Sequence, residues 1–313
     1  MTSLPHHPFR FGVQHARAAS AAAWRDLARK TEDLGYSTLL IPDHFGDQFA
    51  PAVALQAVAD ATTTLRVGPL VVDNDFRHPA VLAKEWATLD VLSDGRVELG
   101  IGAGWHGPEY EATGIPFASP GVRVGRLEET VAILKALWSS PDRFTFAGEH
   151  YALQALAGRP QPAQRPHPPL LIGGGGPRML RLAAREADIV ALCPVTRADG
   201  SGVDVADGDE AGTERKLAVV REAAGDRFAT LEINTLVFVN TVTDDTEGTA
   251  EEVGARLGTG ADEVLRHPHL LVGSVASICE TLRERRERFG ISYVVIQRDM
   301  EAFAPVVAEL AGT

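Results

Sequence analysis

The sequence predicts a parallel (β/α)8 barrel of the TIM type, on three observations. Short apolar runs alternate with longer stretches of helical periodicity, eight such runs occur, and they are spread over 313 residues. An open doubly wound sheet with a small appended domain is the alternative, and closure of eight repeats suits this length better.

The runs are Phe9–Val13, Ser37–Ile41, Leu65–Val72, Val97–Ile101, Pro169–Ile172, Asp188–Leu192, Leu231–Val239 and Tyr293–Gln297. The second carries Leu39, Leu40 and Ile41 in a row, as a strand buried on both faces does. Between the runs, Leu82, Trp86 and Leu89 fall four and three apart. So do Leu127, Val131, Leu134 and Trp138, and Val275, Ile278, Leu282 and Phe289 repeat the pattern near the end. Each stripe predicts a helix with one face on the sheet.

Two segments interrupt the repeat. "DRFTFAGEHYAL", Asp142–Leu153, predicts a hairpin turning at Ala147-Gly148. Thr196–Lys216, rich in Gly and Asp, predicts a long loop of the lid or disordered kind. Its aspartates lack calcium-loop spacing, so no metal is expected there. The proline-rich "GRPQPAQRPHPP" is a stiff connector, and no boundary divides residues 1–313 into separate domains.

Composition narrows the function. The formal charge of −12 argues against nucleic acid and anionic membranes as partners. No apolar stretch approaches the ~18 residues of a membrane span, and "MTSLPHHPFR" lacks the apolar run of a signal peptide. Cys193 and Cys279 lie far apart without metal-type spacing, which fits a reduced, cytoplasmic protein.

In a parallel barrel, chemistry gathers at the C-terminal ends of the strands. The second run ends in Pro42, Asp43 and His44, an acid and an imidazole at a rigid corner. An isolated Asp-His pair is more often a cap and a surface side chain. Other strand ends shift that balance. The fourth run leads into Gly100, Gly102 and Gly104, bare backbone that a flat or anionic ligand can approach. The fifth leads into Gly173, Gly174, Gly175 and Gly176 and then Pro177, a favoured first helical residue. Free N–H groups at such a helix start suit a phosphate, with Arg178 and Arg181 close by. Glu109, after the fourth run, is a second acid/base candidate beside His44; Glu109 and His106 fit an ordinary exposed role equally well.

The stretches "DLARKTEDLGYSTLLIPDHF", "LRVGPLVVDNDFRHPAVLAKEWATLDVLSDGRVELGIGAGW", "RLEETVAILKALW" and "PHPPLLIGGGGPRMLRLAAREADIVAL" together resemble the bacterial luciferase-like superfamily, and within it the deazaflavin-dependent oxidoreductases that use coenzyme F420. The resemblance runs from Asp26 to Leu192. It implies an isoalloxazine-type ring at the barrel mouth, with Asp43 helping to position it and His44 facing the reacting carbon. It implies a non-prolyl cis peptide at Leu70-Val71 or Val71-Val72, forming a bulge behind the ring. It also implies that Gly102, Ala103 and Gly104, together with the glycine run through Pro177 and Arg178, carry the ribityl and phosphate portion.

The cofactor decides the reaction class. F420 passes electrons in pairs, as a hydride, to a C=C, C=N or C=O bond or from the corresponding alcohol, whereas reduced FMN reacts with oxygen and supports monooxygenation. "PDHF" and "FRHPAV" favour the deazaflavin, with FMN as the alternative. F420 carries a phosphate and an oligoglutamate tail, so an acidic protein needs a basic strip; Arg77, Arg123, Arg126, Arg178 and Arg181 are its candidates. Each could instead pair with Glu128, Glu129 or Glu186. A cofactor-free barrel serving as a binding subunit is the rival of another class. No residue set resembles a sugar-phosphate site, so that activity is not carried over. The resemblance further implies a homodimer through barrel helices.

Overall fold

The computed structural model describes residues 4–197 and 200–313. In chain order the elements are β1 (Arg10–Gln14), α1 (Ala21–Asp33), β2 (Thr38–Ile41), α2 (Pro51–Ala61), β3 (Arg66–Pro69), β4 (Val72–Asp73), α3 (Pro79–Leu92), β5 (Leu99–Gly102), α4 (Gly107–Thr113) and α5 (Pro120–Ser139). There follow β6 (Arg143–Ala147), β7 (Ala152–Ala157), β8 (Leu170–Gly174), α6 (Pro177–Glu186), β9 (Ile189–Leu192), α7 (Glu210–Ala224) and β10 (Glu232–Leu236). The chain ends with β11 (Val239–Val242), α8 (Thr246–Leu257), α9 (Ala261–Arg266), β12 (Leu270–Gly273), α10 (Val275–Phe289), β13 (Ile291–Ile296) and α11 (Met300–Leu310).

The main sheet runs β3-β2-β1-β13-β10-β9-β8-β5-β4, with every pairing parallel. Its two ends, β3 and β4, are halves of one predicted run, separated by a cis peptide at Leu70-Val71. Nine strands therefore make eight staves, and the ring closes through the broken one. A bridge between Val67 and Val97 ties the lower half of that stave to the fourth. The helical stripes lie inward as their spacing predicts: Trp86, Trp138, Leu127, Leu282 and Phe289 are all buried. Ser20 and Ser274 start α1 and α10 by accepting from the amides of Ala23 and Ser277. Among the described residues no helix is long and apolar enough to cross a membrane.

Three expectations need correction. The run Leu231–Val239 is not one strand. Val237 still donates to Val295 inside the barrel, but Phe238 donates to His269, and from there the chain pairs with β12. The β11–β12 pair carries its own small core of Ala250, Val253, Val264, Leu270 and Val272. The predicted loop Thr196–Lys216 ends early, because Asp209 caps α7 by accepting from Gly212. Thr213, Leu217 and Val220 then form a buried stripe, with Lys216 buried beside them and bonded to Asp207. Within the predicted loop the buried face of α7 is Gly212, Thr213 and Lys216, none of them a large apolar residue, which hid the helix in the sequence; Ala198 and Asp199 of the loop lie outside the described residues. The hairpin β6–β7 is antiparallel, and its turn lies at 148–151, closed by Gly148 donating to Tyr151, rather than at Ala147-Gly148. Glu129 of α5 accepts from the amides of Glu149, His150 and Tyr151 and ties that turn to the barrel.

The barrel is sealed at the N-terminal ends of its strands. Arg10 reaches Glu232 and Glu98 at 2.6 Å each, and Arg66 reaches the same Glu98 at 2.5 Å. The Arg10 guanidinium lies 3.6 Å from the centre of the buried Tyr293 ring. Paired charges replace water here, as burial of ions requires. Above this layer Leu40, Leu171, Ile189, Ala191, Tyr293 and Val295 fill the interior.

Candidate active site

At the opposite end, Pro42 turns the chain out of β2 and delivers Asp43 and His44 to the barrel mouth. Asp43 is buried and already bonded: Arg77 holds both carboxylate oxygens, at 2.5 and 3.2 Å, and the Asp73 amide donates to it at 3.1 Å. A fixed ion pair, not a free acid, stands at this strand end.

His44 is different. Its Nδ1 lies 2.8 Å from Oε2 of Glu109, whose Oε1 accepts from the Phe45 amide at 3.0 Å. An ionised carboxylate only accepts, so Nδ1 carries the hydrogen and Nε2 is left as the working nitrogen. The side chain of His44 is one-third exposed and that of Glu109 is 14% exposed. Trp105 and His106 stand edge-on to the His44 ring, at 5.7 and 5.9 Å between centroids. Two sequence candidates 65 residues apart thus form one unit.

The broken stave forms the next wall. The Leu70 carbonyl accepts from Gln14 at 2.7 Å, and Gln297 donates to Gln14 at the same distance. Val72 is buried in β4, opposite Ile101. Val71 projects towards the fourth stave, which has no side chains to meet it. A β-carbon on Gly102 would stand 2.9 Å from a Val71 methyl, and one on Gly100 would lie 2.2 Å from the Pro69 carbonyl oxygen. Gly104, with φ of +75°, clears space for Tyr110 and Asp73. The bare backbone expected here is therefore occupied by the protein itself. The Ala103 carbonyl accepts from Arg123.

Along the glycine run, Gly173 faces Val71 and Ala191 at ordinary contact, Gly174 faces Met179, and Gly175 packs on the Cys193 carbonyl. Only Gly176 opens on empty space. It caps α6, with Pro177 at the first helical position. The first turn leaves the amides of Arg178 and Met179 without an intrahelical acceptor.

For the candidate arginines the structure shows internal partners. Arg178 pairs with Glu128 at 2.6 Å and Arg126 with Asp75 at 3.2 Å, while Arg77 serves Asp43. Arg123 donates to the Ala103 and Ala118 carbonyls and lies over the Phe117 ring. Arg178 and Arg181 both lie exposed on α6. Pairing with acids, the alternative for these arginines, has Glu128 as expected on Arg178, whereas Asp43 and Asp75 were not among the expected partners.

Two site residues escaped the sequence reading. Asp73 ends β4 and accepts from the Tyr110 hydroxyl at 2.9 and 2.8 Å. Burial raises its carboxyl to about 6, against the hydrogen bonds from Asp75 and Tyr110 that favour ionisation. Burial and that carboxylate also push the Tyr110 phenol up. An acid closing the third run, in the position that Asp43 holds on the second, was the available signal.

Among the described residues no His, Cys, Asp and Glu cluster could hold a metal. A profile of the luciferase-like monooxygenase family matches residues 1–288. An F420-dependent glucose-6-phosphate dehydrogenase of Kineococcus radiotolerans is 36% identical over 197 residues, 60% of this chain and 57% of that protein. An FMNH2-dependent dimethylsulfone monooxygenase of Pseudomonas putida is 31% identical over 170 residues, 52% of this chain and 46% of that protein. The chain thus spans about half the length of these relatives. The coenzyme F420-dependent tetrahydromethanopterin reductase of Methanopyrus kandleri superposes with a TM-score of 0.77 at 17% identity, over 97% of this chain and 99% of that one, and shares the fold. With the profile matching residues 1–288, every stave but β13, the chain belongs to the luciferase-like monooxygenase family.

Proposed function

We propose that this protein is an oxidoreductase that binds a flavin-type cofactor, with F420 as the first choice. It passes a hydride from the reduced deazaflavin to a C=C, C=N or C=O bond of a small organic substrate, or from the corresponding alcohol to the oxidised deazaflavin. The carrying observation is the His44–Glu109 unit, with Nε2 left at the mouth. The 36% identity to an F420-dependent dehydrogenase supports the cofactor.

The residues present fit such a group. The open edge at Gly176 and the amides of Arg178 and Met179 offer donors for a phosphate. The walls at Leu70, Val71 and Trp105 offer apolar contact for a flat ring. When bound, a reduced deazaflavin supplies the hydride. For reduction His44 acts as the imidazolium, with a hydrogen on each ring nitrogen: it delivers the Nε2 proton to the atom that gains negative charge, while Nδ1–H stays on Glu109. In the reverse direction His44 takes the hydroxyl proton. Such general acid–base help contributes about 10²–10⁴-fold. Asp43, held by Arg77, keeps the strand end rigid.

An FMN-dependent monooxygenase is the second reading, favoured by one observation: the arginines are spent on internal partners, and FMN, with one phosphate and no oligoglutamate tail, needs fewer of them. Titration of the purified protein with F420 and with FMN, followed by ligand fluorescence, separates the two. Tight binding of F420 alone is expected. Preference for FMN would replace the hydride-transfer reading by oxygen chemistry, and binding of neither would return the protein to the cofactor-free class.

A further inference from the structure

The helix that carries Glu109 has little to hold it. α4 is seven residues long, begins without a side-chain cap and exposes Pro108, Glu111, Ala112 and Thr113. A helix under two turns does not persist on its own hydrogen bonds. Tyr110 is its one fully buried side chain. The ring packs against Phe76 and Phe117, at 5.4 and 4.7 Å between centroids, which fixes depth. The hydroxyl bonds both oxygens of Asp73, which fixes rotation about the helix axis. Asp73 is itself anchored: its amide donates to Asp43, and its carboxylate accepts from the Asp75 amide at 2.9 Å. Gly104 is bare where a β-carbon would come within 1.9 Å of the Tyr110 oxygen.

We infer that Asp73 and Tyr110 are positioning residues, a buried carboxylate–phenol pair that sets α4 and so holds Glu109 within bonding reach of His44. The catalytic meaning of this pair rests on the proposed function, but the geometry it sets does not. Neither side chain touches His44; they act through the one-residue step from Tyr110 to Glu109. A shift of α4 by 1 Å would stretch a 2.8 Å bond beyond hydrogen-bond length.

The test reads that bond directly and needs no cofactor, so it stands apart from the F420 and FMN titrations. In protein labelled with 15N-histidine, the Nδ1–H cross-peak of His44 is identified by its absence in His44→Gln. Tyr110→Phe is expected to abolish it, as is Glu109→Ala, which removes the acceptor. Asp73→Asn, whose amide oxygen still accepts from the phenol, is expected to keep it. Tyr110→Phe leaves a buried carboxylate short of a donor. The double variant Asp73→Asn/Tyr110→Phe removes that charge and is expected to lose the cross-peak too. An unchanged cross-peak in natively folded Tyr110→Phe or in the double variant would overturn the inference. So would equal loss in Asp73→Asn, which would mark general damage to the strand end.

Discussion

Val71 fills the space that Gly102 leaves empty, one methyl standing 2.9 Å from where a β-carbon on Gly102 would be. Overpacking of this kind costs about 1–3 kcal/mol. Gly102→Ala should therefore lower stability by that amount in urea unfolding. Gly173→Ala, whose new carbon would meet Val71 at 3.7 Å, should be nearly neutral. Equal effects at the two positions would mean that the bulge yields to either.

Removing the imidazole addresses the chemistry. His44→Ala should leave F420 affinity nearly unchanged while turnover falls by about 10²–10⁴-fold. Turnover equal to that of the parent protein would take His44 out of the mechanism.

The Asp43–Arg77 ion pair at the mouth also bears on stability. Asp43→Ala would strand the Arg77 guanidinium, with only Glu85 near it at 3.7 Å. Breaking a buried pair from one side costs about 3–5 kcal/mol. Chemical denaturation of Asp43→Ala should show a loss near the lower end of that range, since Arg77 is partly exposed. A loss below about 1 kcal/mol would show that water replaces Asp43.

Asp73 gives the protein a pH signature. Its carboxyl is raised from 3.8 to about 6 in the folded state, so between those values the folded chain binds more protons than the unfolded one. Stability from this group is present at low pH and is lost as pH rises through about 6. Asp73→Asn should therefore stabilise the protein by roughly 3 kcal/mol above that pH, with the gain fading towards pH 4. Urea midpoints across this interval measure it; a gain independent of pH would point to a cause other than ionisation.

Because four of the five candidate arginines are engaged, F420 binding should depend only weakly on salt. The dissociation constant should change by less than about threefold between low and physiological ionic strength, where a free basic strip would be screened. A steep dependence would mean that some of these ion pairs open to receive the cofactor.

The barrel was legible because each stave is an apolar run and each helix stripe repeats at three and four residues, signals that survive without knowledge of neighbours. His44 and Glu109 were legible as chemistry at strand ends, though not as a pair, since the bond spans 65 residues. What the chain hid was occupancy. Gly102 at the end of β5 and Gly104 after it look like an opening for a ligand, yet Val71, Tyr110 and Asp73 fill the space. The arginines look like a basic strip, yet Asp43, Asp75 and Glu128 hold three of them. Both depend on side chains brought together by folding, which local pattern does not encode. The change of partner at Phe238 was hidden for the same reason: its residues are apolar on either side, and only the ladder shows where pairing passes to β12.

The charged seal of Arg10, Glu98, Glu232 and Arg66 has a kinetic consequence. A barrel closed at its base has a single doorway, so whatever sits deeper must arrive first and depart last. Two ligands meeting above β8 and β13 would queue, and steady-state inhibition patterns would show a compulsory order, with the inner ligand trapped while the outer one stays.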